Sequence, residues 1–194
     1  MANKKRNRSE FEWARLAKQA AAEMDKPDPR DFDKAEQLLV RALDALRADQ
    51  SYPRSERYRD EALLLSTLAF AYVGQRRLAL GCQTMEFVVQ RVCGSWPAHI
   101  DDGLQIWQSI LSKAEYLYLS CGHQDKALDV AVERLDKINE LADMLMQESE
   151  DFPGVKVWVG NVLPKSQNAV LKIRMQQVQT QEQLDQVKSL LQAS

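Results

Sequence analysis

Apolar side chains recur along most of this chain at intervals of three and four residues, the period of one face of an α-helix. Between Ala114 and Ile138, one such stripe is formed by Ala114, Leu117, Tyr118 and Cys121, and another by Ala127, Leu128, Ala131, Leu135 and Ile138. Gly122 stands between them. It tolerates the left-handed conformation that closes many helices, so the stretch predicts two helices meeting at a tight corner. The small Ala127 and Ala131 let the partner helix approach while the leucines fill the seam.

The same pattern predicts helices on either side of this hairpin. Ser9 and Glu12 form a capping box, opening a helix to about Glu23 with Trp13, Leu16, Ala17, Ala20 and Met24 on one face. Pro27 and Pro29 break it. Asp31 caps a second helix over 32–48, with Ala35, Leu38, Leu39, Ala42, Leu43 and Leu46 inward. A third spans 56–73 and ends at Gly74, a fourth 76–93, and a break at Gly94–Pro97 precedes a fifth over 100–121 and a sixth over 124–148. Beyond Asp151 the period changes. Phe152-Pro-Gly154 is a turn signal, and Val155, Val157 and Val159 alternate with Lys156 and Trp158, which predicts a short extended segment or an irregular arm on the helices. Pro164 and Ser166 open a seventh helix to about Gln177, and Thr180 with Gln183 caps an eighth to about Gln192. Residues 1–8, with Lys4, Lys5, Arg6 and Arg8, are expected to be a disordered basic tail.

An internal repeat emerges when the corners are aligned: RDFDKA at 30–35, GQRRLA at 74–79 and GHQDKA at 122–127, which sets Ala35, Ala79 and Ala127 at equivalent places 44 and 48 residues apart. Trp13, Leu16 and Ala17, with Ala35, Leu39 and Ala42, resemble the tetratricopeptide repeat (TPR) family. So do Leu65, Leu68, Ala69, Tyr72, Gly74 and Ala79 in the second pair, and Tyr118, Gly122, Ala127 and Ala131 in the third. Glu86 and Glu115 depart from the family pattern where it has small residues, and the units are longer than its roughly 34 residues. The resemblance covers about residues 9–146. It implies an all-α fold: a TPR-like array of three antiparallel helix pairs over 9–148, then an arm and two capping helices over 149–194. A plain antiparallel helical bundle satisfies the same spacing.

Composition changes this picture little. The chain has 194 residues, 45% apolar and 28% charged, with a formal net charge of −2, which argues against a dedicated nucleic-acid binder. The basic tail alone could touch nucleic acid or an anionic surface. Cys82, Cys93 and Cys121 lack CxxC spacing, which favours a reducing compartment over a disulfide framework. No apolar run suits a signal peptide or a bilayer span, so a cytoplasmic protein without membrane contact is expected. Phosphate-loop, dinucleotide, HExxH, GxSxG and EF-hand motifs are all missing, and the chain has two histidines. No enzyme activity, metal or cofactor is therefore expected. Cys121 and His123 flank a helix corner, where a packed thiol and a solvated imidazole account for them without a metal. The acids between Asp129 and Asp151 read as a solvated helix face.

What remains is a binding surface. The resemblance implies a concave groove lined by the first helix of each pair, here Arg15 and Lys18, then Ser66, Phe70 and Val73, then Ser112, Lys113, Tyr116 and Ser120. Aromatic and basic side chains there suit a peptide with apolar anchors and an acidic group. The expected function is a non-catalytic adaptor or chaperone-like module binding a protein or peptide segment. The alternatives are a structural homo-oligomer, with Trp158 at a candidate interface, or a regulatory protein touching nucleic acid through its tail.

Overall fold

The computed structural model describes residues 11–27, 29–93, 102–147 and 153–192. Every regular element among them is a helix: α1 (Glu12–Met24), α2 (Phe32–Ala48), α3 (Arg54–Gly74), α4 (Leu78–Cys93), α5 (Asp102–Ser120), α6 (Gln124–Gln147) and α7 (Pro153–Gln192). The expected all-α class holds. By internal packing the chain divides into two units, Met1–Leu117 and Tyr118–Ser194.

In the first unit α1 packs on α2, α2 on α3 and α3 on α4, and α1 also touches α3. α2 begins where its sequence dictates, with the Asp31 carboxylate accepting from the Lys34 N–H at 2.9 Å. α1 begins at Glu12 with Phe11 at its cap and no side-chain cap bond; Ser9 lies outside the described residues. The apolar stripes meet in one core that includes Trp13, Leu16, Leu39, Leu46, Leu64 and Leu68. Tyr52, in the loop before α3, closes its end. Its ring meets Phe11 edge-on at 5.0 Å and Trp13 at 5.6 Å, while its hydroxyl donates to the buried Asp60. Glu61 of α3 accepts from Arg47 of α2 at 2.6 Å and from Arg91 of α4 at 3.3 Å, tying three helices together.

The corners show a repeat that differs in register from the sequence alignment. After α3, Arg76 adopts φ 63°, and the N–H groups of Arg76 and Arg77 donate to Val73 O and Tyr72 O, both at 2.9 Å. After α5, Gly122 adopts φ 78°, and the N–H groups of Gly122 and His123 donate to Leu119 O and Tyr118 O at 3.1 and 2.8 Å. Both are the paired 6→1 and 5→2 closure that ends a helix on a left-handed residue. Gly74 is therefore not the terminator. It is the last residue of α3, and a β-carbon there would lie 2.4 Å from the Phe32 ring.

The small residue of α4 is likewise Gly81, which is buried, and not Ala79, which is exposed. A β-carbon at Gly81 would fall 2.7 Å from Val73 Cγ2 and 2.9 Å from Ala69 O, so α4 crosses α3 there at close range. The N–H groups of Ala35, Gly81 and Ala127 donate to Asp31 O, Arg77 O and His123 O, each at 3.0 Å. These three positions are evenly spaced, 46 residues from each to the next.

The second unit packs α6 on α7. Gln177 Nε2 donates to Asp125 Oδ1 at 3.0 Å, which places the later part of α7 beside the start of α6, an antiparallel arrangement. Ala127, Val130, Ala131 and Ile138 are buried from α6, and Val159, Val162, Ser166, Val170 and Ile173 from α7. The extended segment or irregular arm expected around Val155–Val159 is instead the first part of α7, and the two expected capping helices are one. Pro153 occupies the first helical position, where its missing N–H costs nothing. Val159 and Val162 share the face of Ser166, Val170 and Ile173 at helical spacing, while Val157 points to solvent, so the alternation is the edge of a longer period. Pro164 lies inside the helix with a glycine, Gly160, at the position whose carbonyl it would crowd. Thr180 caps nothing; its hydroxyl donates back to Gln176 O at 2.8 Å within the helix.

Candidate functional site

α3 and α5 each present one aromatic side chain to a common place. Phe70, half-buried, and Tyr116, 65% exposed, lie nearly parallel, with ring centroids 6.1 Å apart and planes inclined by 14°. Beside them is an open cleft of about 430 Å³, lined by Phe70 of α3 and by Gln108, Ser109, Ser112, Lys113 and Tyr116 of α5. The α5 residues follow from helical spacing: positions 108, 112 and 116, and 109 and 113, are four apart and share a face.

Lys113 is the one lysine in this lining. It is half-buried, and burial pushes its ammonium below the ordinary lysine value of 10.5. Among the ion pairs formed by the described residues none involves Lys113. A partly desolvated cation that no described acid pairs with, next to two stacked rings, can receive an anionic group while the rings receive an apolar one.

The structure brings Phe70, Ser112, Lys113 and Tyr116 together and distributes the remaining expected groove residues elsewhere. Ser66 is fully buried, and its hydroxyl donates to Leu63 O at 2.8 Å, so it lines no surface. Val73 packs against Gly81 in the seam between α3 and α4. Arg15 and Lys18 are exposed on α1 and do not line the cleft. Ser120 is exposed and belongs to the second unit. Trp158 is part of the α7 backbone, and its side chain lies outside the described residues. Gln108 and Ser109 were not expected. Extending the face of Ser112 and Lys113 by one helical turn finds both.

A larger cleft of about 840 Å³ lies at the α1–α2 corner, lined by Lys26, Pro27, Pro29, Arg30, Phe32 and Gln75 among others. Part of its lining is tied into the fold. Gln75 Nε2 donates to Phe32 O at 3.2 Å and to Glu36 at 2.7 Å, and Arg77 pairs with Glu36 at 3.0 Å. Among the described residues, no group of three His, Cys, Asp or Glu side chains is placed to hold a metal ion, and no helix is long and apolar enough to cross a membrane. Cys82 is buried and Cys121 half-buried, and neither sulfur is in a disulfide bond.

Fold and site together define a protein whose described elements are all helical, with an aromatic-and-lysine cleft on its first unit. Comparison with models of protein families, with curated proteins and with solved structures finds no match for this chain.

Proposed function

We propose that this chain is a non-catalytic protein-binding module, adaptor or chaperone-like, that takes a segment of another protein against the α3–α5 face. An apolar side chain of the segment rests on Phe70 and Tyr116, and a neighbouring carboxylate meets Lys113. The observation that carries this reading is Lys113 itself. A half-buried ammonium that joins none of the ion pairs among the described residues is a cost to the free protein, and such costs concentrate at binding sites.

The repeat supports the architecture behind the proposal. With Gly81 in register, Leu65, Leu68, Ala69 and Tyr72 are followed nine residues after the tyrosine by the small residue of the next helix. Tyr118 and Ala127 keep the same interval. That is the leucine-small-aromatic pattern of TPR-like hairpins. The contact of α1 with α3 and the pairing of Phe70 with Tyr116 suit hairpins stacked through their first helices.

Selection from a displayed library of random peptides tests the reading. The wild-type chain is expected to enrich peptides with an apolar anchor beside an acid, and Tyr116→Ala and Lys113→Glu are expected to lose them while keeping a wild-type circular dichroism spectrum. Absence of any enriched peptide, or enrichment that both variants retain, overturns the proposal.

A further inference from the structure

α7 has two faces, of which the one opposite α6 carries apolar side chains that stand exposed among the described residues. Val157, Leu171, Met175 and Val178 are each more than half exposed. They are in register with one another. Val157, Pro164, Leu171 and Val178 follow at intervals of seven; Asn161, Asn168 and Met175 form a second seven-residue series between them, and every one of these side chains is exposed. Alternating steps of four and three over residues 157–178 make a seam of period 3.5, the pattern of a coiled coil, along about 33 Å of helix.

We infer that a second copy of this chain docks on that seam, α7 beside α7, parallel and in register. The polar residues in and beside the seam select this occupant. In a parallel pair each seam residue faces its own counterpart, so Asn161 meets Asn161 of the second copy and Asn168 meets Asn168. Their amides satisfy one another, a device that favours paired parallel helices over larger or antiparallel assemblies. The flanks agree. Lys172 comes opposite Gln167 of the second copy, and Arg174 opposite Gln179, so no like charges face across the edges. An antiparallel pair sets asparagine against leucine or valine and brings one lysine edge to the other. The apolar part of the seam is short, and its two asparagines cost stability, so the dimer is weak and reversible. This inference is independent of the peptide cleft, which lies on the other unit.

Sedimentation equilibrium of the full chain across a concentration series tests it. The expected result is a reversible monomer–dimer equilibrium in the micromolar range. Met175→Glu, which sets two carboxylates face to face in the seam, weakens the dimer by about a hundredfold or more. Val40→Glu, at an exposed apolar position of α2, leaves it unchanged. Orientation is read from Asn161→Cys, near one end of the seam, in a chain carrying Cys82→Ala, Cys93→Ser and Cys121→Ser, where mild oxidation yields a covalent dimer. A monomer up to hundreds of micromolar, or a dimer indifferent to Met175→Glu, overturns the inference. A Met175-dependent dimer that forms no disulfide at position 161 overturns the parallel register.

Discussion

Phe32, the first residue of α2, lays its ring on the α-carbon of Gly74, the last residue of α3. A β-carbon at position 74 would lie 2.4 Å from two ring carbons and 2.6 Å from Cγ. Because Cγ is the root of the ring, rotating the tip does not clear the space. Alanine ordinarily strengthens a helix over glycine by about 1 kcal/mol, but overpacking of this kind costs about 1–3 kcal/mol. Gly74→Ala is therefore expected to lower stability by about 1 kcal/mol in urea unfolding followed by circular dichroism. In a Phe32→Ala background the same change should be neutral or stabilising. A gain from Gly74→Ala with Phe32 in place would show that the ring yields freely.

The two helix closures make opposite predictions. Arg76 holds the left-handed position after α3 with a side chain that disfavours it, whereas Gly122 holds the equivalent position after α5 without strain. Arg76→Gly is expected to stabilise by about 0.5–1 kcal/mol, and Gly122→Ala to destabilise by about 1 kcal/mol. Nothing lies within 4 Å of a β-carbon built at Gly122, so backbone strain alone sets that cost. Urea midpoints that move in the same direction for both variants would remove the closures from the account.

These positions also mark what the sequence could and could not convey. Helix existence was legible throughout the first six helices, because stripes such as Leu39, Ala42, Leu43 and Leu46 need only the helical period to be read. Register at the second corner was not. Gly74 looks like a terminator, but a glycine can serve either a positive φ or a close neighbour, and only the position of Phe32 separates the two. Arg76 carries no sequence sign of a left-handed backbone. In α7 the valines at 155, 157 and 159 fit a period of two over five residues, and a window that short cannot reveal that Val159 and Val162 continue to Ile173 at helical spacing. Of the candidate site, Ser112, Lys113 and Tyr116 were named from the sequence, while Gln108 and Ser109, one turn earlier on the same face, were passed over. Ser66 and Val73 share the side of α3 that carries Phe70, but Ser66 is fully buried and Val73 turns to Gly81 of α4, and the sequence alone does not say which positions on one helical side stay open.

Glu61 offers a direct test of how the first unit is tied together. It is 8% exposed and receives Arg47 from α2 and Arg91 from α4. Arg91 also lies over the Tyr58 ring at 4.3 Å, and the Tyr58 hydroxyl donates to the Arg91 carbonyl at 2.6 Å. Removing the carboxylate leaves two guanidinium groups without their shared acceptor. Glu61→Ala is expected to cost about 2–3 kcal/mol, whereas Arg47→Met, on a side chain half in solvent, should cost under about 1 kcal/mol. Equal losses in chemical unfolding would contradict the central place of Glu61.

Acid should act on α1 and α2 through Glu23. Hydrogen bonds from Lys26 and from Lys34, the latter at 2.8 Å, hold its carboxyl below the ordinary value of 4.5. The unfolded chain then binds the proton more readily than the folded one. The contribution of this group is present above pH 4.5 and is lost as pH falls from there through the lowered value. Glu23→Gln is expected to flatten the acid limb of a stability–pH curve and leave its alkaline limb unchanged. An acid limb identical to that of the wild type would assign the dependence to other carboxylates.

Lys113 should set stability and binding against each other. Burial holds its ammonium below the usual 10.5, so the folded free chain gives up this proton more readily than the unfolded one. Stability is therefore expected to rise as pH climbs through the lowered value towards 10.5, since the folded state is relieved of a buried charge. Affinity for an acidic peptide falls over the same window, because the neutral amine no longer attracts a carboxylate. Lys113→Met removes both dependences. The variant should be more stable than the wild type at neutral pH, by less than about 1 kcal/mol given the remaining solvent contact, and should bind acidic and amide forms of a peptide equally. Unfolding midpoints and peptide titrations at neutral and alkaline pH check both halves. A Lys113→Met protein that is less stable and still prefers the acidic peptide would mean that Lys113 is held for packing alone.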